Sequence, residues 1–230
     1  MLTLPEELLL IALDNETGKM TSPFIHYGLA GAVLMELTLR ECIDVQNKKL
    51  IILEKNDAGD ELLNEFLQHM KIKQKGRAKS LYHWVQQLGR YIKRHKKHQL
   101  FIDRLLAQKI LKREEKRYWL FFTKEVYPAA RIKEEHEIRN RLKKTVLTDH
   151  ADEDERTITL LAIIHACRLA RNVFMKEEHR LAKRKMNEML KKSAHGKAVA
   201  STIETMQIAV AAAIASAVST STYSSNTTAN

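Results

Sequence analysis

The residues best suited to chemistry are two pairs that include a histidine. His95 and His98 stand three positions apart, which would place both imidazoles on one side of a helix, as in some metal sites. Their neighbours are lysine and arginine, and no Asp, Glu or Cys lies nearby in the sequence, so a bound cation is disfavoured. His165 and Cys167 stand two apart in an apolar segment and would point in different directions, as core residues do. We therefore predict no enzyme activity, no metal and no cofactor.

The positive charge of the chain is concentrated in one block. The net charge is +11, and the segment from Leu67 to Ile102 supplies most of it, with ten Lys and Arg residues and no Asp or Glu. On one helix, four of these cations would share a face by i, i+3, i+4 and i+7 spacing: Arg90, Lys93, Arg94 and Lys97. Such a face would attract a phosphoinositide headgroup, an acidic bilayer or a nucleic acid.

Aromatic residues follow a charged run in the sequence KREEKRYWLFF, residues 112 to 122. The pattern predicts a charged turn and then a hydrophobic strand of a β-hairpin, made of Tyr118, Trp119, Leu120, Phe121 and Phe122. Two interpretations stay open at this point. The rings could pack in the core, or they could enter the interface of a bilayer while the adjacent cations hold anionic lipid.

The elements that position these residues are predicted to be mainly α-helical. Pro and Gly are scarce, at three and seven residues. We expect a single compact helical domain over residues 1–218 with two short β-hairpins, one of them aromatic-rich, and a disordered polar tail over 219–230. Thr3 and Glu6 have the spacing of a capping box. No stretch has the roughly 18 uninterrupted apolar residues of a membrane span, so we expect contact with a membrane surface at most.

Local patterns predict four further features. One long helix is expected from Tyr91 to Gln108, and a first hairpin over residues 43–53. The basic segment 71–79 is expected to be a mobile loop. Gly28 and Gly31 on the second helix indicate that a neighbouring helix approaches closely.

Four segments of the chain resemble the Golgi phosphoprotein 3 family in order and spacing. They are LTLPEELLLIAL, YGLAGAVLMELTLRECI, LLAQKILKREEKRYWLFF followed by YP, and TLLAIIHACRLARNVF. The resemblance runs from Leu2 to about Phe174 and implies a single, mostly helical fold without enzyme activity. Eukaryotic members of this family are peripheral Golgi proteins that bind phosphatidylinositol 4-phosphate and help to retain glycosyltransferases.

The resemblance also implies where a headgroup would bind. The family uses a Trp after the first helix, but this chain has none between residues 18 and 24, and the family's Arg on the second helix corresponds to Ala30. Its basic pair corresponds to His95 and His98, or after a one-residue shift to Arg94 and Lys97. The aromatic hairpin is thought to dip into the bilayer. The chain begins at the family's core, as expected of a bacterial-type member.

These observations predict a non-catalytic adaptor on the cytosolic side of a membrane. Anionic phospholipid is the expected partner, with client proteins and self-association as further expectations. The predicted headgroup-binding residues are Arg90, Lys93, Arg94, Lys97, His95 and His98, and the predicted anchor is Tyr118 to Phe122. An alternative stays open, since a helix followed by a hairpin occurs twice and resembles the plan of a winged-helix nucleic-acid-binding protein.

Overall fold

The structure is a computed structural model that describes residues 1–14, 17–54, 57–118, 122–148, 154–193 and 198–226. The helices are α1 (Leu4–Ala12), α2 (Ile25–Leu39), α3 (Glu61–Gln74), α4 (Leu81–Arg94), α5 (His98–Ala107), α6 (Ile132–Leu147), α7 (Glu155–Ala166), α8 (His179–Ser193) and α9 (Ala198–Asn226). The strands are β1 (Ile43–Gln46), β2 (Lys49–Ile52), β3 (Lys79–Ser80), β4 (Glu114–Tyr118) and β5 (Phe122–Val126). The predicted mainly α fold is confirmed.

Helix α2 forms the centre of the core. It is apolar on nearly every side and buried over most of its length, so other helices must surround it. Helices α1, α4, α7 and α9 do so. A Cβ added at Gly31 would lie 2.5 Å from Cγ2 of Val210 in α9, and one at Gly28 would meet Sγ of Cys167. The predicted close approach at both glycines is therefore confirmed.

Buried carboxylates tie the start of the chain to this core. The backbone N–H of Thr3 donates to Glu6 at 2.7 Å, in agreement with the predicted capping box. Glu36 on α2 is 2% exposed and pairs with Arg40 at 2.9 Å and with Arg156 of α7 at 3.0 Å. Because the carboxylate lies between two guanidinium groups, its burial leaves no unpaired charge.

The first predicted hairpin is confirmed and is part of a larger sheet. Strands β1 and β2 are antiparallel, and Asn47 and Lys48 form the turn with φ of 51° and 61°. Positive φ at both turn residues is the pattern of a type I′ turn. Strand β3 adds to β2, and α3 continues to Gln74, so the loop predicted over residues 71–79 is confined to residues 75–78. Pairing with β2 orders part of this segment.

The prediction of one helix from Tyr91 to Gln108 is also wrong. Helix α4 ends at Arg94, and Lys96 adopts a left-handed conformation with φ of 51°. The N–H of Lys97 then donates to the carbonyl of Ile92 at 2.9 Å, which is the Schellman bond of a helix end. The same motif, with a charged residue where glycine is usual, ends α2, α5 and α7 at Glu41, Lys109 and Arg168.

The second hairpin differs from its prediction. The charged segment expected to be a turn is strand β4, and it pairs with β5 as far as Tyr118 opposite Phe122. Of the aromatic segment, Tyr118 is the last residue of β4 and Phe122 is the first residue of β5. Trp119, Leu120 and Phe121 lie outside the described residues.

Helix α9 is longer than the sequence indicates. It continues to Asn226, so part of the segment predicted as a disordered tail is helical, and residues 227–230 lie outside the described part. The window Thr202–Thr220 has a mean hydropathy of 1.4 and is long and apolar enough to cross a membrane. A third of this window is buried, and α9 packs on α2, α4 and α7, as a core helix of a globular protein does.

Candidate anion-binding site

The end of α4 and the start of α5 form a cationic corner on the surface. We call the residues from Arg90 to His98 that carry it the basic corner: Arg90, Lys93, Arg94, His95, Lys96, Lys97 and His98. The side chains of Arg90, Lys93 and Arg94 are exposed on the last turns of α4. Their shared helical face agrees with the spacing in the sequence.

Lys97 does not continue that face, because the left-handed residue before it ends the helix. Its Nζ lies 2.6 Å from Oε1 of Glu65 on α3, and the same oxygen accepts a hydrogen bond from the hydroxyl of Tyr91 at 2.9 Å. The hydrogen bond that Lys97 donates to Glu65 raises the pKa of Lys97 above its usual value. Lys97 thus holds α3 against the end of α4, and an anionic ligand would have to compete with Glu65 for it.

A buried histidine on the central helix α2 adjoins the basic corner. His26 of α2 is 7% exposed, and its pKa is lowered to about 4 by burial first and then by Lys93 and His98. Burial and the charge of Lys96 also lower the pKa of His98. Helices α4 and α5 therefore bring Lys93 and His98 close enough to His26 to lower its pKa. Sequence reasoning missed His26, although it precedes Ala30 by one helical turn.

His95 belongs to an aromatic stack that connects α3 and α4. The ring of His69 stacks on Tyr91 at 3.9 Å between centroids, and Tyr91 lies 4.9 Å from His95. Burial, followed by the charge of Lys73, lowers the pKa of His69. His95 itself is exposed at the end of this stack. Its ring contacts Tyr91, and among the described residues neither His95 nor His98 belongs to a group of three potential metal ligands.

The base of the second hairpin adjoins the basic corner. Tyr127 follows β5, and its hydroxyl accepts a hydrogen bond from the side-chain amide of Gln99 at 3.3 Å. Gln99 is the residue after His98. The backbone N–H of Tyr127 donates to Gly18 at 3.2 Å, where an added Cβ would lie 2.5 Å from the nitrogen of Tyr127. These contacts tie the residue that follows β5 to α5 and to Gly18.

The other pair considered in the sequence, His165 and Cys167, lies at the end of α7. Cys167 ends α7 against Gly28, and burial raises the pKa of its thiol to about 12, so the thiolate needed for nucleophilic attack is absent near pH 7. Burial also lowers the pKa of His165, followed by the charge of Lys183. Within the described ranges, no three His, Cys, Asp or Glu side chains are grouped as metal ligands.

Fold and site together define a mainly α-helical protein with a cationic corner next to the base of a β-hairpin. The family model described as Golgi phosphoprotein 3 (GPP34) matches residues 4–206. Because this match covers nearly the whole of the 230 residues, the chain belongs to the Golgi phosphoprotein 3 family.

Proposed function

We propose that the protein is a non-catalytic adaptor that attaches to the cytosolic surface of a membrane by binding anionic lipid. Membership of the Golgi phosphoprotein 3 family supports this role and favours phosphatidylinositol 4-phosphate as the headgroup. The surface concerned is the cytosolic face of the Golgi in a eukaryote, or the inner membrane in a bacterium. Client proteins would bind to the membrane-attached form.

The contact between Gln99 and Tyr127 is the observation that best supports the proposal. It joins the basic corner to the base of the hairpin, so that phosphate-binding cations and the aromatic tip would meet the same bilayer. Arg90, Lys93 and Arg94 are exposed there and would contact headgroups. The anchoring role of Tyr118, Trp119, Leu120, Phe121 and Phe122 is a prediction from the sequence and the family resemblance.

Sequence and geometry favour a relaxed headgroup specificity. Ala30 is fully buried on α2, so it offers no charge where the family has an arginine. Lys93 and His98 lie near His26 instead, and both histidines have lowered pKa values, so they would be largely neutral at pH 7. A neutral imidazole can donate a hydrogen bond to a phosphate but adds no attraction at long range. We expect binding to several anionic lipids as a result.

Vesicle co-sedimentation tests the proposal. Wild type would be compared with Arg90→Ala/Arg94→Ala and with Trp119→Ala/Phe121→Ala on vesicles containing phosphatidylcholine alone, phosphatidylserine or phosphatidylinositol 4-phosphate. Lys183→Ala/Arg184→Ala is the matched control, since it removes the same charge from exposed positions on α8. We expect wild type and the control to bind anionic vesicles. Both test variants should lose this binding.

Other results would contradict the proposal in different ways. If no anionic vesicle sediments the wild type at moderate salt, membrane binding is refuted. Tight binding to duplex DNA that falls steeply with salt and needs only the cations would favour the winged-helix alternative. Trp119→Ala/Phe121→Ala could instead leave vesicle binding unchanged and alter only the sedimentation coefficient of the protein without vesicles. The hairpin would then be a contact between subunits.

A further inference from the structure

The opposite end of the α3 and α4 pair is a second cationic surface. The two helices are antiparallel, because Glu65 of α3 lies beside Lys97 and His69 lies beside Tyr91. The C-terminal end of α3 is therefore next to the N-terminal end of α4. At 1.5 Å per residue, this places it roughly 20 Å along the helix axis from the basic corner. The chain turns there through Lys75, with φ of 40°.

The fold gathers seven cations at this end. The last turn of α3 and the following segment carry Lys71, Lys73, Lys75, Arg77 and Lys79. Pairing of β2 with β3 adds Lys48 and Lys49, because Lys49 lies opposite Ser80 and the N–H of Leu81 donates to the carbonyl of Lys48 at 3.1 Å. We call these seven residues, with Ile72, the basic tip. Asp44 is the only acidic residue in the three strands.

An apolar side chain stands out among these charges. Ile72 is 72% exposed, more than any other large apolar residue of the described part of the chain except Met1. It lines a shallow cavity of about 360 Å³ with Ile52, Lys71 and Lys75. A single exposed isoleucine is ordinary on a protein surface. Here it protrudes from a dense cationic surface, which is the composition of segments that lie in the interface of an anionic bilayer.

We propose that the basic tip is a second membrane-contact site, at which Ile72 enters the headgroup region of an anionic bilayer while the surrounding cations hold its headgroups. This inference rests on the proposed function and extends it to a surface outside the basic corner and the hairpin. Charge complementarity favours an anionic partner, since each lysine near an anionic bilayer adds roughly fivefold to binding. The exposed Ile72 favours a bilayer as that partner. A nucleic acid would use the same cations but would gain nothing from Ile72.

The basic tip and the basic corner both act electrostatically on one residue of α4. His83 of α4 lies between them, and its pKa is lowered by burial first, then by Lys79 of the basic tip and by Arg90 of the basic corner. An anionic surface that lies along the α3 and α4 pair would be attracted at both ends. Attachment at two points about 20 Å apart would strengthen binding more than either point alone.

Vesicle partitioning of full-length Ile72→Ser tests this role. The matched control is Ile132→Ser, which removes a side chain that is 58% exposed on α6. On vesicles of phosphatidylcholine with about one quarter phosphatidylserine, we expect Ile72→Ser to lower the partition coefficient about fivefold. The control should match wild type. Since Ile72 is exposed, both variants should keep the wild-type thermal unfolding midpoint.

A fluorescent reporter gives an independent reading. Ile72→Cys can be labelled with an environment-sensitive dye such as NBD, because Cys42 and Cys167 are buried at 0% and 6% exposure. We expect a blue shift on the phosphatidylserine vesicles and none with phosphatidylcholine alone or with duplex DNA.

The outcomes separate this inference from the proposed function. If wild type binds the anionic vesicles while Ile72→Ser binds equally well and the dye does not shift, the basic tip is not a contact site. If the dye shifts on DNA instead, the tip binds nucleic acid and the inference is wrong. If wild type binds no anionic vesicle, the proposed function fails and the inference fails with it.

Discussion

The left-handed lysine at the end of α4 leads to a prediction of increased stability. Lys96 has φ of 51°, and its backbone completes the Schellman motif that separates α4 from α5. A left-handed conformation costs an L-residue with a Cβ about 1 to 2 kcal/mol, and glycine does not bear this cost. Glycine loses more backbone entropy on folding, by about 0.5 to 1 kcal/mol. From the middle of each range, the net expectation for Lys96→Gly is a gain of about 0.75 kcal/mol.

Two substitutions on the same helix end serve as controls. Lys96→Ala removes the same charge but keeps the Cβ and therefore the strain, so it should leave the stability within about 0.3 kcal/mol of wild type. Lys93→Gly places glycine at an exposed position inside α4 and should cost about 1 kcal/mol. The same lysine-to-glycine change three residues apart is thus expected to have opposite signs.

Urea denaturation followed by far-ultraviolet circular dichroism measures all three variants. For a chain of this length, the gain in Lys96→Gly corresponds to a rise of roughly 1 to 4 °C in the thermal unfolding midpoint, which a temperature scan of the same signal measures. If Lys96→Gly and Lys96→Ala have the same stability, strain at this residue is not what the structure implies and the reasoning is refuted. Glycine at the other three left-handed helix ends should have the same sign, and these are Glu41, Lys109 and Arg168.

Three further predictions concern the core. Arg156→Met should lower the free energy of unfolding, measured by urea denaturation, by about 3 kcal/mol. The reason is that the buried carboxylate of Glu36, which is 2% exposed, would keep only one of its two cations. A loss below about 1 kcal/mol would contradict this. Gly31→Ala should cost about 1 to 3 kcal/mol by overpacking against Val210, and Val210→Ala should recover part of the loss in the double variant. The pKa of His26 is about 4 in the folded protein and near 6.5 in the unfolded chain. As the pH falls from 6.5 to 4, the unfolded chain is therefore protonated before the folded protein, and the free energy of unfolding decreases. His26→Gln should lose less stability than wild type between pH 7 and pH 4.5, and equal losses would show that His26 is not responsible.

Much of the architecture could be predicted because it depends on local signals. The capping box of Thr3 and Glu6 and the short polar turn between β1 and β2 are encoded within a few residues. Gly28 and Gly31 indicated a close neighbour on α2 without naming it. The sequence could not show that α9 is this neighbour of Gly31, because that contact joins distant parts of the chain.

The errors have a common physical cause. The long helix predicted across Lys96 contains no glycine or proline at the break, and the end of α4 is stabilised by tertiary contacts such as the pair of Lys97 and Glu65. The charged strand β4 has weak intrinsic preference for a sheet and forms by pairing with β5. At the candidate site, the cations of α4 were found by spacing. His26 was missed because it comes from another helix.

The central position of α2 has a consequence for synthesis of the protein. Gly31 and Val210 touch in the folded chain, although about 180 residues separate them. A ribosome adding roughly 5 to 20 residues per second needs about 10 to 40 seconds to cover that interval. During this time one side of an almost wholly apolar helix has no covering partner. A nascent chain that stalls before α9 would therefore expose α2, and it would be a substrate for chaperones or a nucleus for aggregation.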